Sequence, residues 1–319
     1  MKVVHIADGA LAAAPYRLMQ VQRLGGIEAR LINCLYAGDW YPRDLVLEDG
    51  PEALAGVVAQ ADVIHYHNRW RQSRLFACHP WMWPLVEGKP SVIQFHSARR
   101  AEFEEALAAP SLVKLVVAQY QPRLYPECRP VLNAVPIDDP LHSPHASAAP
   151  DDGRRRERPP VVAFTPPQCS DLEGWSRKGC AETLRVLSQG FAHRFVTGVP
   201  WEAAMRLRRE CDIAIDEVVT GSYHMCSLEA LSQGLATIAG LDVKTVDALE
   251  RATGTRRHPW VVAKPETLHG ELARLCADRD YLRSRQLAAR AYMEQFWNPA
   301  VFVATFREIY ELALAAASA

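Results

Sequence analysis

The feature that most constrains this chain is an alternation, kept up along most of its 319 residues, between short apolar runs rich in β-branched residues and longer amphipathic stretches. Lys2-Val3-Val4-His5-Ile6-Ala7 is the first such run and Ala29-Arg30-Leu31-Ile32-Asn33 the second. Runs of this kind suit parallel strands buried on both faces by helices. Between them, residues 15–24 carry Leu18, Met19, Val21 and Leu24 and stop at Gly25-Gly26, the pattern of a helix ended by glycine. Strand, helix and strand in that order make a βαβ unit.

The alternation continues with a helix over 54–60, strands over 62–66, 91–95 and 112–117, and a short strand at Val131-Leu132 before Asn133. From 136 to 159 it lapses into prolines, small residues, the acidic pairs Asp138-Asp139 and Asp151-Asp152, and the basic run Arg154-Arg155-Arg156. With no core-forming period, this stretch reads as a partly mobile linker whose charges are solvated. A second series follows: strands over 160–164, 194–197, 212–215, 235–239 and 261–262, and helices over 179–189, 201–210 and 226–233. Helices over 265–277, 279–294 and 299–316 close the chain. Two doubly wound sheets are expected, with ligands gathered at the carboxyl ends of their strands.

Lys and Arg number 36 against 37 for Asp and Glu, a formal net charge of -1, so no global field draws the chain to nucleic acid or to a membrane. The eight cysteines show no C-x-x-C pair and no histidine at zinc spacing, which reads as reduced thiols. The opening residues read as a strand rather than a secretion signal, and no window nears about 18 uninterrupted apolar residues. The expected location is cytoplasmic, or peripheral to the inner face of the cell membrane.

The chemistry-bearing strings lie mostly in the second half. Cys211-Asp212-Ile213-Ala214-Ile215-Asp216-Glu217 leads through Gly221-Ser222-Tyr223-His224-Met225 into Cys226-Ser227-Leu228-Glu229-Ala230-Leu231 and the turn Ser232-Gln233-Gly234. This strand, loop and helix resembles the donor site of retaining GT-B glycosyltransferases, in particular the large family-4 group. A loop of small and polar residues entering a helix sets backbone N–H groups and the positive helix end against a diphosphate. A carboxylate one to two turns in accepts hydrogen bonds from ribose. The resemblance therefore assigns Glu229 to the ribose and the amides of Ser222, Tyr223, His224 and Met225 to phosphate or sugar. At one position of this string the chain departs from the family. The usual motif has two glutamates, the first contacting the transferred sugar, and that first position is Gly221; Asp216 or Glu217 is expected to make the contact in its place.

Arg177-Lys178-Gly179 resembles the Lys-Gly that follows the first donor-domain strand of these enzymes, and two cations there would neutralise a diphosphate without metal. The family's further arginine is absent, Thr165-Pro166-Pro167 standing in its place, and Arg177 is the expected substitute. In the first half, His96 follows the strand 91–95 and resembles the family's strand-terminal histidine near the donor sugar, a candidate catalytic residue together with Lys178. The turn Asp8-Gly9-Ala10-Leu11 resembles the first βα turn, where Gly9 would let backbone approach a sugar; it lacks the G-x-G-x-x-G of dinucleotide folds. His65 and His67 share one face of a strand, a spacing compatible with a metal. With no third ligand apparent along the chain, they read as packing or acceptor-site residues, alongside Arg69 and Arg99. The aromatic and basic residues Trp70, Arg71, Arg74, Phe76, Trp81 and Trp83 suit an anionic or lipid-linked acceptor, or equally a cluster buried under a loop.

The resemblance implies a GT-B fold, two Rossmann-like doubly wound parallel-sheet domains facing across a cleft. The boundaries read from the sequence are an acceptor domain over 1–135, a linker over 136–159, a donor domain over 160–290, and a terminal helix over 291–319 that packs back toward the first domain. The implied activity moves a sugar from a nucleoside-diphosphate sugar to a glycan, lipid-linked or other acceptor, with retention, no metal and no cofactor. The nucleotide-sugar is a substrate, and nucleic acid is not an expected partner. A catalytically weak homologue serving as a binding subunit of a glycan-assembly complex, or a nucleotide-sugar epimerase, would keep the same donor site.

Overall fold

A computed structural model describes residues 1–35, 40–144, 158–166 and 178–318. Contacts divide the chain into two units: Met1–Pro136 with the segment from Asn298 onward, and Ile137–Trp297.

The first unit is built on a seven-stranded parallel sheet of β1 (Lys2–Ala7), β2 (Glu28–Asn33), β3 (Leu45–Val46), β4 (Val63–His67), β5 (Ser91–Phe95), β6 (Leu112–Val117) and β7 (Arg129–Val131). Its spatial order is β3-β2-β1-β4-β5-β6-β7, so the direction of chain progress reverses between β1 and β4. The helices are α1 (Ala14–Leu24), α2 (Pro51–Ala59), α3 (Arg74–Cys78), α4 (Trp83–Val86) and α5 (Glu104–Ala108). Side chains of successive strand residues point to opposite faces. Val4, Ile6, Ile64, Tyr66, Ile93 and Phe95 take one face, packed with Leu54 and Val58 of α2.

The helix α1 stops at Gly25-Gly26, as its glycines dictate. Gly25 itself has an ordinary φ of -92°, and Gly26 takes the left-handed turn at 78°. A Cβ at Gly25 would lie 2.0 Å from a methyl of Val303, in the chain-terminal helix introduced below. Close packing, rather than backbone freedom, is what requires the first of the two glycines.

The second unit carries a five-stranded parallel sheet in the order β12-β11-β10-β8-β9. In chain order its elements are β8 (Val162–Phe164), α6 (Cys180–Leu187), β9 (His193–Phe195), α7 (Trp201–Arg209), β10 (Ile213–Ile215), α8 (Met225–Ser232), β11 (Ala236–Ala239), α9 (Val243–Thr253), β12 (Val261–Val262), α10 (Leu268–Ala277) and α11 (Arg279–Phe296). The chain then re-enters the first unit as α12 (Pro299–Ala317), capped by the Asn298 side chain on the amide of Ala300.

Every strand but β3 falls within two residues of its expected bounds; β3 and the short helices α3, α4 and α5 are additions to the sequence expectations. Helix α9 is an addition to them, although its signals are plain: Asp242 accepts from the amide of Thr245 at its start, and Gly254 ends it at φ 75°.

Of the expected linker, residues 145–157 lie outside the described residues. Its first part is docked rather than mobile. Ile137 is 3% exposed, His142 is buried with Nδ1 3.1 Å from Ser232 Oγ, and Gln233 and Arg290 donate to carbonyls of Leu141, His142 and Ile137. Buried backbone carbonyls demand donors, and these two side chains supply them. Among the described residues no helix is long and apolar enough to cross a membrane.

Candidate functional site

In the second unit, β8 and β10 are neighbours although β9 separates them in sequence. A reversal of strand order of this kind is where open parallel sheets collect ligands, beyond the carboxyl ends of the strands. Lys178 arrives from the β8 side. Gly179, at φ 67°, begins α6, and a Cβ on it would sit 2.8 Å from methyls of both Val218 and Val219. Glycine therefore lets the Lys178 turn press against the loop leaving β10. Burial works against the Lys178 ammonium, but the negative groups around it, Asp216 and Glu217 among them, prevail and hold its pKa above the ordinary lysine value. Arg177 lies outside the described residues.

Asp216 and Glu217 follow β10 directly, and both are buried. Asp216 accepts from the amide of His224 at 2.6 Å and from Cys226 Sγ at 3.0 Å, and meets His224 Nδ1 at 3.2 Å. Against the burial that would raise its pKa, His224, Lys178 and these hydrogen bonds hold the carboxyl well below the usual carboxylate range. Glu217 accepts from the amides of Val219 (2.9 Å), Thr220 (2.6 Å) and Ser222 (2.8 Å).

Two expectations change here. Neither carboxylate stands open to replace a glutamate at 221, because each is turned inward to satisfy its own loop. The amides of Ser222 and His224 are likewise taken by Glu217 and Asp216 rather than directed outward. Tyr223 is 1% exposed and packs on Trp260 with ring centroids 4.8 Å apart, so its side chain belongs to the core. Met225 is buried as well, and opens α8, whose amino end has no side-chain cap.

The glycine at 221 has a structural cause. Its φ is 77°, and a Cβ there would lie 2.6 Å from Oδ2 of Asp242, whose carboxylate occupies the space a side chain would need.

Glu229 sits in the second turn of α8, 5% exposed. Its Oε2 meets Arg208 Nη1 at 2.5 Å and its Oε1 accepts from Trp201 Nε1 at 2.8 Å. The carboxylate is therefore oriented by α7, through an arginine only 3% exposed. Sequence reasoning missed Arg208; the one signal was an arginine on the apolar stripe of an amphipathic helix.

In the first unit the corresponding reversal lies between β1 and β4, with Ala7 in register with His67. Sequence spacing offered two histidines there; the structure adds His5, paired in register with His65. One nitrogen from each of His5, His65 and His67 lies within 4.8 Å of the others, and all three rings are buried. His65 and His67, at 0% and 1% exposure, present no surface to an acceptor, which leaves them the packing role of the two considered. His96, just beyond β5, keeps part of its surface accessible and places Nε2 2.9 Å from His67 Nδ1. Burial lowers the pKa of all four imidazoles, to about 4 for His5 and about 3 for His96. They are neutral at pH 7.

Gly9 has no crowding neighbour and no left-handed φ, so nothing in the structure requires glycine there. Strain falls on the next residues instead: Leu11, Ala12 and Ala13 have φ of 46°, 53° and 61°, each costing roughly 1–2 kcal/mol. Arg69 and Arg99 share the carboxylate of Glu102 at 2.8 and 3.3 Å in an exposed cluster. Trp70 and Phe76 are buried, with the guanidinium of Arg71 4.5 Å from the Trp70 ring, so much of the aromatic string is a cluster beneath a cation; Trp81 is exposed.

Three solved structures share this architecture over nearly the whole chain. A glycosyltransferase from Rickettsia africae ESF-5 is 13% identical, with a TM-score of 0.62 over 98% of each chain. An alpha-glucosyltransferase, solved with UDP and a 13-mer DNA containing a HMU base, is 9% identical with a TM-score of 0.69, covering 98% of this chain and 99% of its own. Anabaena HepE, solved with UDP and glucose, is 12% identical with a TM-score of 0.65, covering 98% and 100%. The fold is GT-B, an α/β architecture of two parallel-sheet units. No protein-family model and no curated protein matches the sequence.

Proposed function

We propose that the chain transfers a sugar from a nucleoside-diphosphate sugar to a hydroxyl of a glycan or lipid-linked acceptor, with retention of configuration and without a metal ion. One observation carries this reading: at the switch point of the second sheet, Lys178 lies beside the carboxyl end of β10, whose loop leads into the uncapped amino end of α8. A cation and a helix amino end are complementary to phosphate oxygens, and stabilising a departing diphosphate lowers the barrier to breaking the sugar–phosphate bond. Arg177 adds a second positive charge in this assignment. Glu229, held by Arg208 and Trp201, is assigned to the ribose hydroxyls.

The inward engagement of Asp216 and Glu217 speaks against either as a nucleophile. It favours attack from the face that the diphosphate leaves, with a phosphate oxygen taking the acceptor proton. Arg69 and Arg99 are assigned to an anionic acceptor. The likeness in fold to proteins solved with UDP supports the donor class.

Thermal melting with UDP-, ADP-, GDP- and dTDP-sugars in EDTA tests the proposal. A ligand at 100 times its Kd adds about 2.7 kcal/mol and raises Tm by several degrees. No shift with any of them, or a shift and turnover only with added magnesium or manganese, would overturn the donor or the metal-free part respectively. Binding with no transfer to any acceptor would select the binding-subunit reading instead.

A further inference from the structure

The buried imidazoles of the first unit form a hydrogen-bonded row. Gln22 of α1 places Oε1 2.8 Å from His5 Nε2; His5 Nδ1 lies 3.0 Å from His67 Nε2; His67 Nδ1 lies 2.9 Å from His96 Nε2. At the other end the Gln22 amide nitrogen donates to the Tyr310 hydroxyl at 2.7 Å, and that hydroxyl is 2.9 Å from His65 Nδ1. A neutral imidazole has one N–H and one lone pair, so imidazoles joined nitrogen to nitrogen must all point their protons the same way.

The Gln22 carbonyl oxygen accepts only and therefore sets that direction. His5 donates to it from Nε2, leaving Nδ1 to accept from His67 Nε2–H. His67 Nδ1 in turn accepts from His96 Nε2–H. His96 is left with a bare Nδ1, which has no hydrogen-bond partner among the described residues, on a residue that keeps part of its surface accessible.

We propose that Gln22, His5 and His67 are positioning residues that lock His96 as the neutral Nε2–H tautomer, so that its Nδ1 accepts a hydrogen bond from a hydroxyl of the sugar substrate. The lock stands on the hydrogen-bonded row; the identity of the hydroxyl rests on the glycosyl-transfer reading above. Its low basicity makes His96 an acceptor that orients a hydroxyl rather than a base that removes its proton. A metal held by His5, His65 and His67 is the rival use of the same residues. The His65 and His67 rings are stacked, 13° apart with centroids at 4.6 Å. Ligand lone pairs lie in the ring plane, so rings set this way direct theirs side by side rather than to one ion.

Two-bond proton–nitrogen NMR of the full chain labelled with ¹⁵N-histidine reads each tautomer directly, with the His96 signals assigned by their loss in His96→Gln. The wild-type chain is expected to show His96 protonated at Nε2 alone. Gln22→Met keeps every imidazole and removes the directing carbonyl together with the amide that donates to Tyr310, and both tautomers of His96 should appear. His67→Leu should have the same effect, and if it fails to fold Gln22→Met still decides. An unchanged tautomer in Gln22→Met, or a wild-type His96 protonated at Nδ1, would overturn the lock. So would a stoichiometric transition metal in the purified chain whose removal shifts the His5, His65 and His67 resonances. A locked His96 in a chain that binds no nucleotide-sugar would leave the lock standing and remove the donor reading.

Discussion

Glu229 and Arg208 show how burial changes what a substitution reports. At 6% and 3% side-chain exposure, the pair leaves little water to screen either charge. Glu229→Ala strands a buried guanidinium, and a loss of about 3–5 kcal/mol in urea unfolding is expected before any question of ligand arises. Glu229→Gln is the informative change, since it keeps the side-chain volume and one acceptor oxygen for Trp201 while removing the charge and the second oxygen, which meets Arg208. If the carboxylate holds ribose, calorimetry should find nucleotide binding weakened by about 1–3 kcal/mol in that variant. Affinity equal to wild type would take Glu229 out of the donor site. The same attention to partners separates Asp216 and Glu217, which shape a loop, from Lys178, whose charge sits beside them.

At the scale of elements, α12 owes its seat to the absence of a side chain on α1. Val303 fills the space over Gly25, and α12 brings Phe306 and Tyr310 against the histidine face of the sheet, with His65 centroids 5.9 and 5.8 Å away. Gly25→Ala should overpack this contact and cost about 1–3 kcal/mol. Adding Val303→Ala should recover part of the loss, because it removes the methyls that the new Cβ meets. A single variant as stable as wild type in chemical denaturation would show that α12 is not held this closely. The docked segment over 137–143 makes a similar point: an irregular stretch becomes rigid when buried donors reach its carbonyls.

For the molecule as a whole, the neutral buried imidazoles set the acid limit of stability. His5, His65 and His67 have folded-state pKa values below that of an unfolded histidine, about 6.5. Above pH 6.5 neither state binds the proton and stability is unaffected. As pH falls below 6.5 the unfolded chain takes up protons that the folded chain refuses, and stability drops by up to about 1.4 kcal/mol per pH unit for each ring. Between pH 7 and pH 5 a loss of about 2 kcal/mol per wholly buried imidazole is expected. Carboxylates with lowered values, such as Asp44 and Asp216, act only at more acid pH. Denaturant midpoints that coincide at pH 7 and pH 5 would contradict the buried, neutral cluster.

Much of this molecule is a local matter and was legible in the sequence. Apolar runs such as Ser91-Val92-Ile93-Gln94-Phe95 mark strands because burial on both faces selects β-branched and aromatic residues wherever they occur, and the Gly25-Gly26 stop of α1 follows from local backbone chemistry. Local signals of this kind suffice to put His96 at a strand end and Lys178 at a βα turn. What they could not reach depends on neighbours distant in the chain. His5 lies 60 residues from His65, and only the parallel register of β1 with β4 brings the rings together. Asp216 and Glu217 looked available because a sequence shows a carboxylate but not the amides that surround it. Gly221 read only as a departure from the family's first glutamate, whereas its left-handed φ and the Asp242 carboxylate beside it leave no room for a side chain. Helix and strand propensities are read within a few residues; register, burial and the satisfaction of buried charge are decided only once the sheets have formed.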